Sequence, residues 1–477
     1  MNILVTGATG YIGGQLIPKL TEAGHQVVCM AREPQRLIGN KWDKVEIRQG
    51  DVLDQASLRS AMQGIDVAYY LIHAMAGGAQ GFEEREFSGA ENFGKAAKEA
   101  GIQRIIYLGG LGDCEKGLSP HLWSRQHVGE ILRASGVPVT EFRAAVVIGL
   151  GSISFEMFRY LTERLPIMIT PKWVTTRCQP IAIKNVLDYL TLCLTQPQSI
   201  GKIYEIGGPD VITYGDMMRE YACARHLKRY LIPVPILTPR LSSYWVNIVT
   251  PIPRSYAQPL IEGLRSEVVV HDPSAQEDFN IKLIPYPDAL RRALTRDGSG
   301  EVESYWAGAQ AGLKAGRMHK ITQGMFIEQR RLESMVEPDA IYDIFARIGG
   351  KQGWYYADWL WKIRFGLDKL VGGVGRRQDQ RRRGETRPGD IVDGFSVEMI
   401  DMGRMIRLRN EMKAPGPAWM QYEVIRSDTG KTLFIQTAFF EPHGLMGLAY
   451  WYGLYPFHQL IFSGMARGIV RRSESHN

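Results

Sequence analysis

NILVTGATGYIGG, residues 2–14, decides the fold. Ile3, Leu4 and Val5 form an unbroken apolar run, the pattern of a strand buried on both faces. The run passes into Gly7, Gly10 and Gly13, and a helix-spaced segment, YIGGQLIPKLTEAG, begins across the last of them. Each glycine has its own physical reason. Gly7 permits the tight turn, Gly10 lets a pyrophosphate approach the backbone, and Gly13 lets the helix pack on the strand. The amides and positive dipole end of that helix then face an anion. Ala8, Thr9, Tyr11 and Ile12 complete the loop and are candidate contacts for the same group.

The pattern repeats outward. HQVVCMA, VEIRQGD, DVAYYLIHA, RIIYLGG and VTEFRAAVVIG read as further strands, and stretches such as NFGKAAKEAG between them as helices that end on glycine. Strands alternating with helices predict an α/β domain, a parallel sheet covered on both faces. From about 150 to 300 the pattern loosens. IKNVLDYLTLCLTQ is a helix, GKIYEIGG a strand, and a helix-like run starts at Arg240. This part is read as the substrate-side extension of a domain over 1–300, with DGSGEVES, 297–304, as the linker signal and a linker over 301–324. A second domain over 325–477 is α+β. It has a short helix in SMVEPDAIYDIFARIGG, an aromatic helix in WYYADWLWKIRFGLDKLVG, strands in FSVEMID, MIRLRNEM, WMQYEVIRS and KTLFIQTAFF, and a final apolar helix.

The 477 residues exceed one ordinary core, and 45% apolar with 22% charged residues is the balance of a globular protein. The net charge of +7 permits anionic ligands or a membrane surface without demanding either. The five cysteines are scattered, without metal or redox spacing, so no metal is expected and reduced thiols in a cytoplasmic protein are the reading. No secretory signal is visible at the N-terminus. Residues 444–466 are long enough to span a bilayer, but Pro456, His458, Gln459 and several glycines favour a core helix, with a helix lying on a membrane surface as the intermediate case.

The G-x-x-G-x-x-G spacing in TGATGYIG resembles the extended and atypical branches of the short-chain dehydrogenase/reductase superfamily, over roughly residues 1–300. The resemblance implies a Rossmann-type fold and a nicotinamide dinucleotide. Asp51 and Val52, in GDVLD, are placed beside the adenine. Ile72 and His73, at the end of YLIHA, are placed beside the ribose, and Asn92 matches the family's helix asparagine. An NAD-binding member carries an acidic residue near Ala31. Here Arg32 follows instead, with Arg36 nearby, and a guanidinium pairs with a 2′-phosphate that a carboxylate repels. NADP(H) is therefore expected over NAD(H), with Glu33 the contrary sign.

The superfamily's serine, tyrosine and lysine are replaced. Gly109 and Gly110 stand where the hydroxyl is expected, His121 at the tyrosine position and Arg125 at the lysine position. His121 and Arg125 share one helical face. An arginine holds a ribose hydroxyl but cannot shuttle protons, and its charge lowers a neighbouring imidazole's pKa, which leaves His121 a proton acceptor. They are the candidate catalytic pair. The alternative is a helix that keeps polar contacts to the cofactor without turnover. Ser124 is read as a helix-surface residue and His127 as solvated.

The second domain is similar to an uncharacterised bacterial domain fused to such modules, and its layout resembles the START/polyketide-cyclase-like helix-grip fold. That resemblance implies an apolar ligand beside Trp354, Trp359, Trp361, Trp419 and Trp451; a filled aromatic core is the other reading. Asp358, Arg364, Glu411, Lys413, Glu441 and His443 are its polar candidates. The basic run RRQDQRRRGETR, 376–387, lacks the interleaved aromatics of nucleic-acid binding and suits a solvated loop or anionic lipid. Two readings result: an NADP(H)-dependent oxidoreductase or epimerase-like enzyme for an apolar substrate, and an inactive NADP(H)-binding sensor or accessory protein.

Overall fold

The structure is a computed structural model. It describes every residue except 35–36, 38–41, 43, 73–81, 114–116, 235–249, 251–253, 296–315, 323–324, 351, 377–386, 427–429 and 476–477. The chain divides into two compact units, Met1–Ala311 and Gly312–Asn477.

The first unit is built on β1 (Asn2–Thr6), β2 (Gln26–Ala31), β3 (Val45–Gln49), β4 (Val67–Tyr70), β5 (Arg104–Gly110), β6 (Val139–Ala144) and β7 (Ile203–Ile206). All pair in parallel, in the order β3-β2-β1-β4-β5-β6-β7. Both faces are covered, as the unbroken apolar runs require. Ile3 and Val5 pack in a cluster with Leu16 of α1 (Tyr11–Glu22) and Val186 of α6 (Ile183–Leu192). Leu4 points the other way, into a cluster with Leu58 of α2 (Gln55–Ala61), Phe93 of α3 (Phe82–Glu99) and Val128 of α4 (Pro120–Ala134). The chain builds outward from β1 to β3, then restarts at β4 on the other side of β1. That reversal opens a crevice beyond the carboxyl ends of β1 and β4.

The stretch VTEFRAAVVIG is not one strand. β6 stops at Ala144, and Val147–Ile148 forms a separate short ladder with Ile181–Ala182. The extension supplies β7 to the main sheet and adds α7 (Tyr214–Ala224) and α5 (Ile153–Arg164), where the buried Arg159 meets the buried Glu156 at 3.1 Å. The helix-like run from Arg240 lies outside the described residues as far as 249 and again over 251–253. So do residues 301–315 and 323–324 of the expected linker. Its remainder, β8 (Gly316–Thr322), is a strand of the second unit rather than linker.

In the second unit β8, β9 (Met325–Ser334), β10 (Ile391–Val392), β11 (Phe395–Asp401), β12 (Met405–Asn410), β13 (Ala418–Arg426) and β14 (Thr432–Phe440) form an antiparallel sheet ordered β8-β9-β14-β13-β12-β11-β10. Against it lie α8 (Pro338–Phe345) and the 32-residue α10 (Gly444–Ser475), while α9 (Asp358–Leu370) carries the aromatic segment. No helix among the described residues is long and apolar enough to cross a membrane. α10 buries Trp451 and Phe462–Ala466, but leaves Met446, Tyr452, Phe457 and Leu460 at its surface.

Candidate functional site

The glycines at the end of β1 make the tight turn and the close helix packing that their spacing predicts. Gly7 turns with φ +70, and a Cβ there would stand 2.6 Å from the Leu71 carbonyl oxygen at the end of β4. Gly10 precedes α1 in extended backbone, donates to the Gly7 carbonyl at 2.8 Å and offers no side-chain cap. The first turn of α1 carries no acidic residue, so the helix brings no carboxylate of its own to its dipole end. Thr6, which the sequence analysis did not single out, hooks the two strand ends together. Its hydroxyl donates to Tyr69 O at 2.8 Å and accepts from Leu71 N at 3.1 Å. Thr9 and Gly10 are exposed, Tyr11 and Ile12 half-buried, and Ala8 and Gly13 buried.

The adenine-side residues are held by local turns. The half-buried Asp51 accepts from Leu53 N at 3.0 Å, and the Val52 carbonyl accepts from Asn92 at 3.1 Å. Asn92 also takes a hydrogen bond from Gln55 at 3.1 Å, so it braces this turn from α3. Arg32 stands exposed at the end of β2. Arg36 and His73 lie outside the described residues; Ile72 is described, and its carbonyl faces Arg125.

Arg125 is tied down on every side. Its guanidinium donates to the Leu108 carbonyl and, at 3.5 Å, to the Ile72 carbonyl, at the ends of β5 and β4. It lies 5.1 Å over the Tyr107 ring and 3.9 Å from Glu86, whose side chain is 2% exposed. Gly110 explains the missing hydroxyl in steric terms. A Cβ there would meet Leu122 at 3.0 Å and the Arg125 side chain at 3.7 Å. His121 is half-buried in the first turn of α4, one turn before Arg125. One expectation, that Ser124 lies on the helix surface, is corrected here. Ser124 is fully buried and donates to Glu86 at 3.0 Å, because α3 packs against that face of α4. His127 is stacked on Trp123 at 5.0 Å and edge-on to Phe87 at 4.8 Å, so it belongs to an aromatic cluster.

Residues 7–144 match a family model described as NAD(P)H-binding. The first unit is an NAD(P)-binding domain of the Rossmann type. Residues 322–465 match the family described as "Protein of unknown function (DUF2867)". Among relatives, the mitochondrial NADH dehydrogenase [ubiquinone] 1 alpha subcomplex subunit 9 of Arabidopsis thaliana is 27% identical over 306 residues, 59% of this chain and 74% of that protein. A 3 beta-hydroxysteroid dehydrogenase/Delta 5-->4-isomerase of Mycobacterium tuberculosis is 32% identical over 114 residues, 22% of this chain and only 30% of that protein. Triphenylmethane reductase of Citrobacter sp., solved with NADP(H), shares the fold at TM-score 0.50 and 20% identity, covering 61% of this chain and 100% of its own. The NAD(P)-binding domain is thus similar to subunit-9-like and dehydrogenase relatives, and the glycine turn lies within the residues that the NAD(P)H-binding model matches.

In the DUF2867 unit the polar candidates are dispersed into structural roles. Asp358 accepts from Trp354 N at 2.7 Å, Arg364 donates to Lys413 O at 3.1 Å, Lys413 to Val371 O at 2.8 Å, and Glu411 accepts from Ser396 at 2.6 Å. Glu441 and His443 take part through their backbone amides, which bond to Pro417 O and Pro415 O at 2.9 Å each. The expected aromatic lining is corrected in two places. Trp354 and Trp361 stack at 4.4 Å and Trp451 is buried, but Trp359 is 62% exposed and Trp419 donates outward to Glu398 at 3.1 Å. Among the described residues no group of three metal-ligating side chains occurs.

His458 on α10 is placed to make this unit acid-sensitive. Burial and then the Arg330 charge hold its pKa down to about 4. Trp451 and Phe462 flank it on its own helix. From β9, Glu328 and Arg330 face it, paired with each other at 2.7 Å. In the unfolded chain an imidazole titrates near ~6.5. Between the two values the unfolded state binds the extra proton, so stability is complete above about 6.5 and is lost as the pH falls toward 4. Going from pH 7 to 5 is expected to remove about 2 kcal/mol through this residue. Guanidinium melts followed by tryptophan fluorescence check it: His458→Phe must lose clearly less than the parent over that interval.

Proposed function

We propose that the protein is an NADP(H)-binding oxidoreductase of the short-chain dehydrogenase/reductase type, acting on an apolar small molecule that the DUF2867 unit holds in a helix-grip-like interior. The observation that carries the nucleotide part is the glycine turn, packed on the end of β4 below an uncapped helix start. Arg32 supplies the preference for the 2′-phosphate. Gly7 through Gly13, Asp51, Val52 and Ile72 surround the rest of the cofactor, and Arg125 stands at the ribose end with His121 as the acid/base candidate. A relative named as a dehydrogenase subunit and a fold neighbour solved with NADP(H) agree with this assignment. Arg32→Glu is expected to weaken NADPH about tenfold or more and NADH by less than about threefold, because a lost charge-assisted pair is worth ~1.5–3 kcal/mol. Fluorescence titration of both nucleotides decides; equal losses would remove Arg32 from the 2′-phosphate.

One observation favours a second reading, a nucleotide-holding sensor or accessory protein without turnover. Gly109 and Gly110 bring no hydroxyl, and the Arg125 guanidinium is spent on strand carbonyls, Tyr107 and Glu86. Mass spectrometry of small molecules released on denaturing the purified protein separates the two. NADP(H) with an apolar companion supports the enzyme, and NADP(H) alone the sensor.

A further inference from the structure

The face of the DUF2867 sheet that meets α8 and α10 is apolar almost throughout. Pairing across β9, β14 and β13 sets out its rows: Phe326, Phe440 and Ala418 form one, and Leu332, Phe434 and Val424 another. Between them the pattern breaks. Arg330, Gln436 and Tyr422 lie side by side in one row, and Glu328 precedes them in the next, beside Ala438 and Met420. α10 closes this patch with polar groups of its own. Gln459 donates to Glu328 at 2.6 Å, Arg330 donates to Ser463 at 3.0 Å, and His458 stacks on Phe462 at 4.8 Å.

A polar island inside an apolar interior is normally satisfied by its own members, since each unmet buried group costs free energy. This one is satisfied only in part. Glu328 Oε2, Gln436 Oε1, Tyr422 Oη and His458 Nδ1 are buried and meet no hydrogen-bond partner within the protein. They come from three neighbouring strands and from α10, so four separate elements leave polar capacity in adjacent rows of this interior. The chemistry is lopsided. Glu328 and Gln436 contribute acceptors, the phenol both donates and accepts, and the imidazole nitrogen does either according to its tautomer. Arg330 balances the charge of Glu328 at 2.7 Å, so the island as a whole attracts neither an anion nor a cation. Its complement is a neutral donor.

We propose that this island binds the hydroxyl head of an otherwise apolar molecule, with Glu328, Gln436, Tyr422 and His458 around the hydroxyl and the apolar rows beside it around the body. The proposal rests on the reading that the DUF2867 unit holds an apolar small molecule, and adds which end of that molecule is recognised. Specificity follows from the asymmetry of hydrogen bonding. A ligand that lacks the hydroxyl leaves the same acceptors buried and unmet, and is rejected for that reason.

The test is isothermal titration of the full chain with 1-decanol and with decyl methyl ether, which keeps an oxygen but has no proton to donate. The alcohol is expected to bind at least about tenfold more tightly. Tyr422→Phe is the variant of choice. It keeps the ring against Phe345 and Phe434, whose centroids lie 5.9 and 6.4 Å away, and deletes only a hydroxyl that no protein group engages. Its fold, checked by circular dichroism, is expected to be intact, with alcohol affinity about tenfold lower and ether affinity unchanged. Equal binding of alcohol and ether overturns this proposal and leaves the apolar-ligand reading standing. A tenfold preference that survives Tyr422→Phe unchanged also overturns the assignment to this island. Binding of neither probe refutes the apolar-ligand reading, and the proposal with it; interior water then answers the four atoms.

Discussion

Gly13→Ala is expected to raise the dissociation constant for NADPH at least about a hundredfold, a loss of ~2.7 kcal/mol. The added methyl would stand 2.4 Å from the Gly7 carbonyl oxygen, 2.9 Å from its carbon and 3.1 Å from Ala8 Cα. All three are backbone atoms of the turn itself, so no side chain can swing aside. α1 must retreat from β1, and its amides leave the position proposed for facing a phosphate. Gly14→Ala is the internal control. One residue on, the methyl meets only Ala8 O at 3.6 Å, an ordinary contact, and affinity should stay within about twofold while alanine favours the helix. A fluorescence titration of the two variants is enough. Equal retention of NADPH by both would refute the glycine turn as the phosphate site.

Arg125→Ala is expected to cost the first unit about 3 kcal/mol and to lower its melting midpoint by roughly 5 °C. The reason is less the loss of attraction than what stays behind. Glu86, with a side chain 2% exposed, would lose the guanidinium 3.9 Å away, and the carbonyls of Leu108 and Ile72 would lose a donor. Removing both charges at once should be milder. Glu86→Gln with Arg125→Met is expected to recover at least half of the loss, since breaking a buried pair costs more than replacing it. Calorimetry with and without NADPH reads both the fold and the proposed ribose contact. If the single variant melts like the parent, the cage around Arg125 contributes nothing.

The first unit was legible because its signals are local and repeated. Apolar runs gave the strands of a sheet covered on both sides, and three glycines at fixed spacing marked the turn. Gly109 and Gly110 likewise announced the missing hydroxyl. The neighbours of α4 were not legible. Ser124 read as a surface group because helical spacing shows one helix's own faces, and α3 lies over it. The second unit failed at its beginning. MFIEQRRLES carries six polar or charged residues inside a strand that is almost wholly buried, so neither alternation nor apolarity identified β9. Those same residues supply Glu328 and Arg330. A polar residue on a buried strand lowers the signal for the strand just where a site is being built.

β9 also has a kinetic consequence. Its partner in the sheet is β14, with Phe326 opposite Phe440 and all of residues 335–431 between the two strands in the chain. The hairpins from β11 to β14 close over short turns, whereas this edge requires the ends of a very long loop to meet. In a refolding experiment the meander should therefore gain protection from amide exchange first, and β9 last. Until it docks, β14 exposes an unpaired edge of apolar sequence, TLFIQTAFF, of the kind that other chains can extend. The protein's vulnerable moment is thus the interval before its most polar strand arrives.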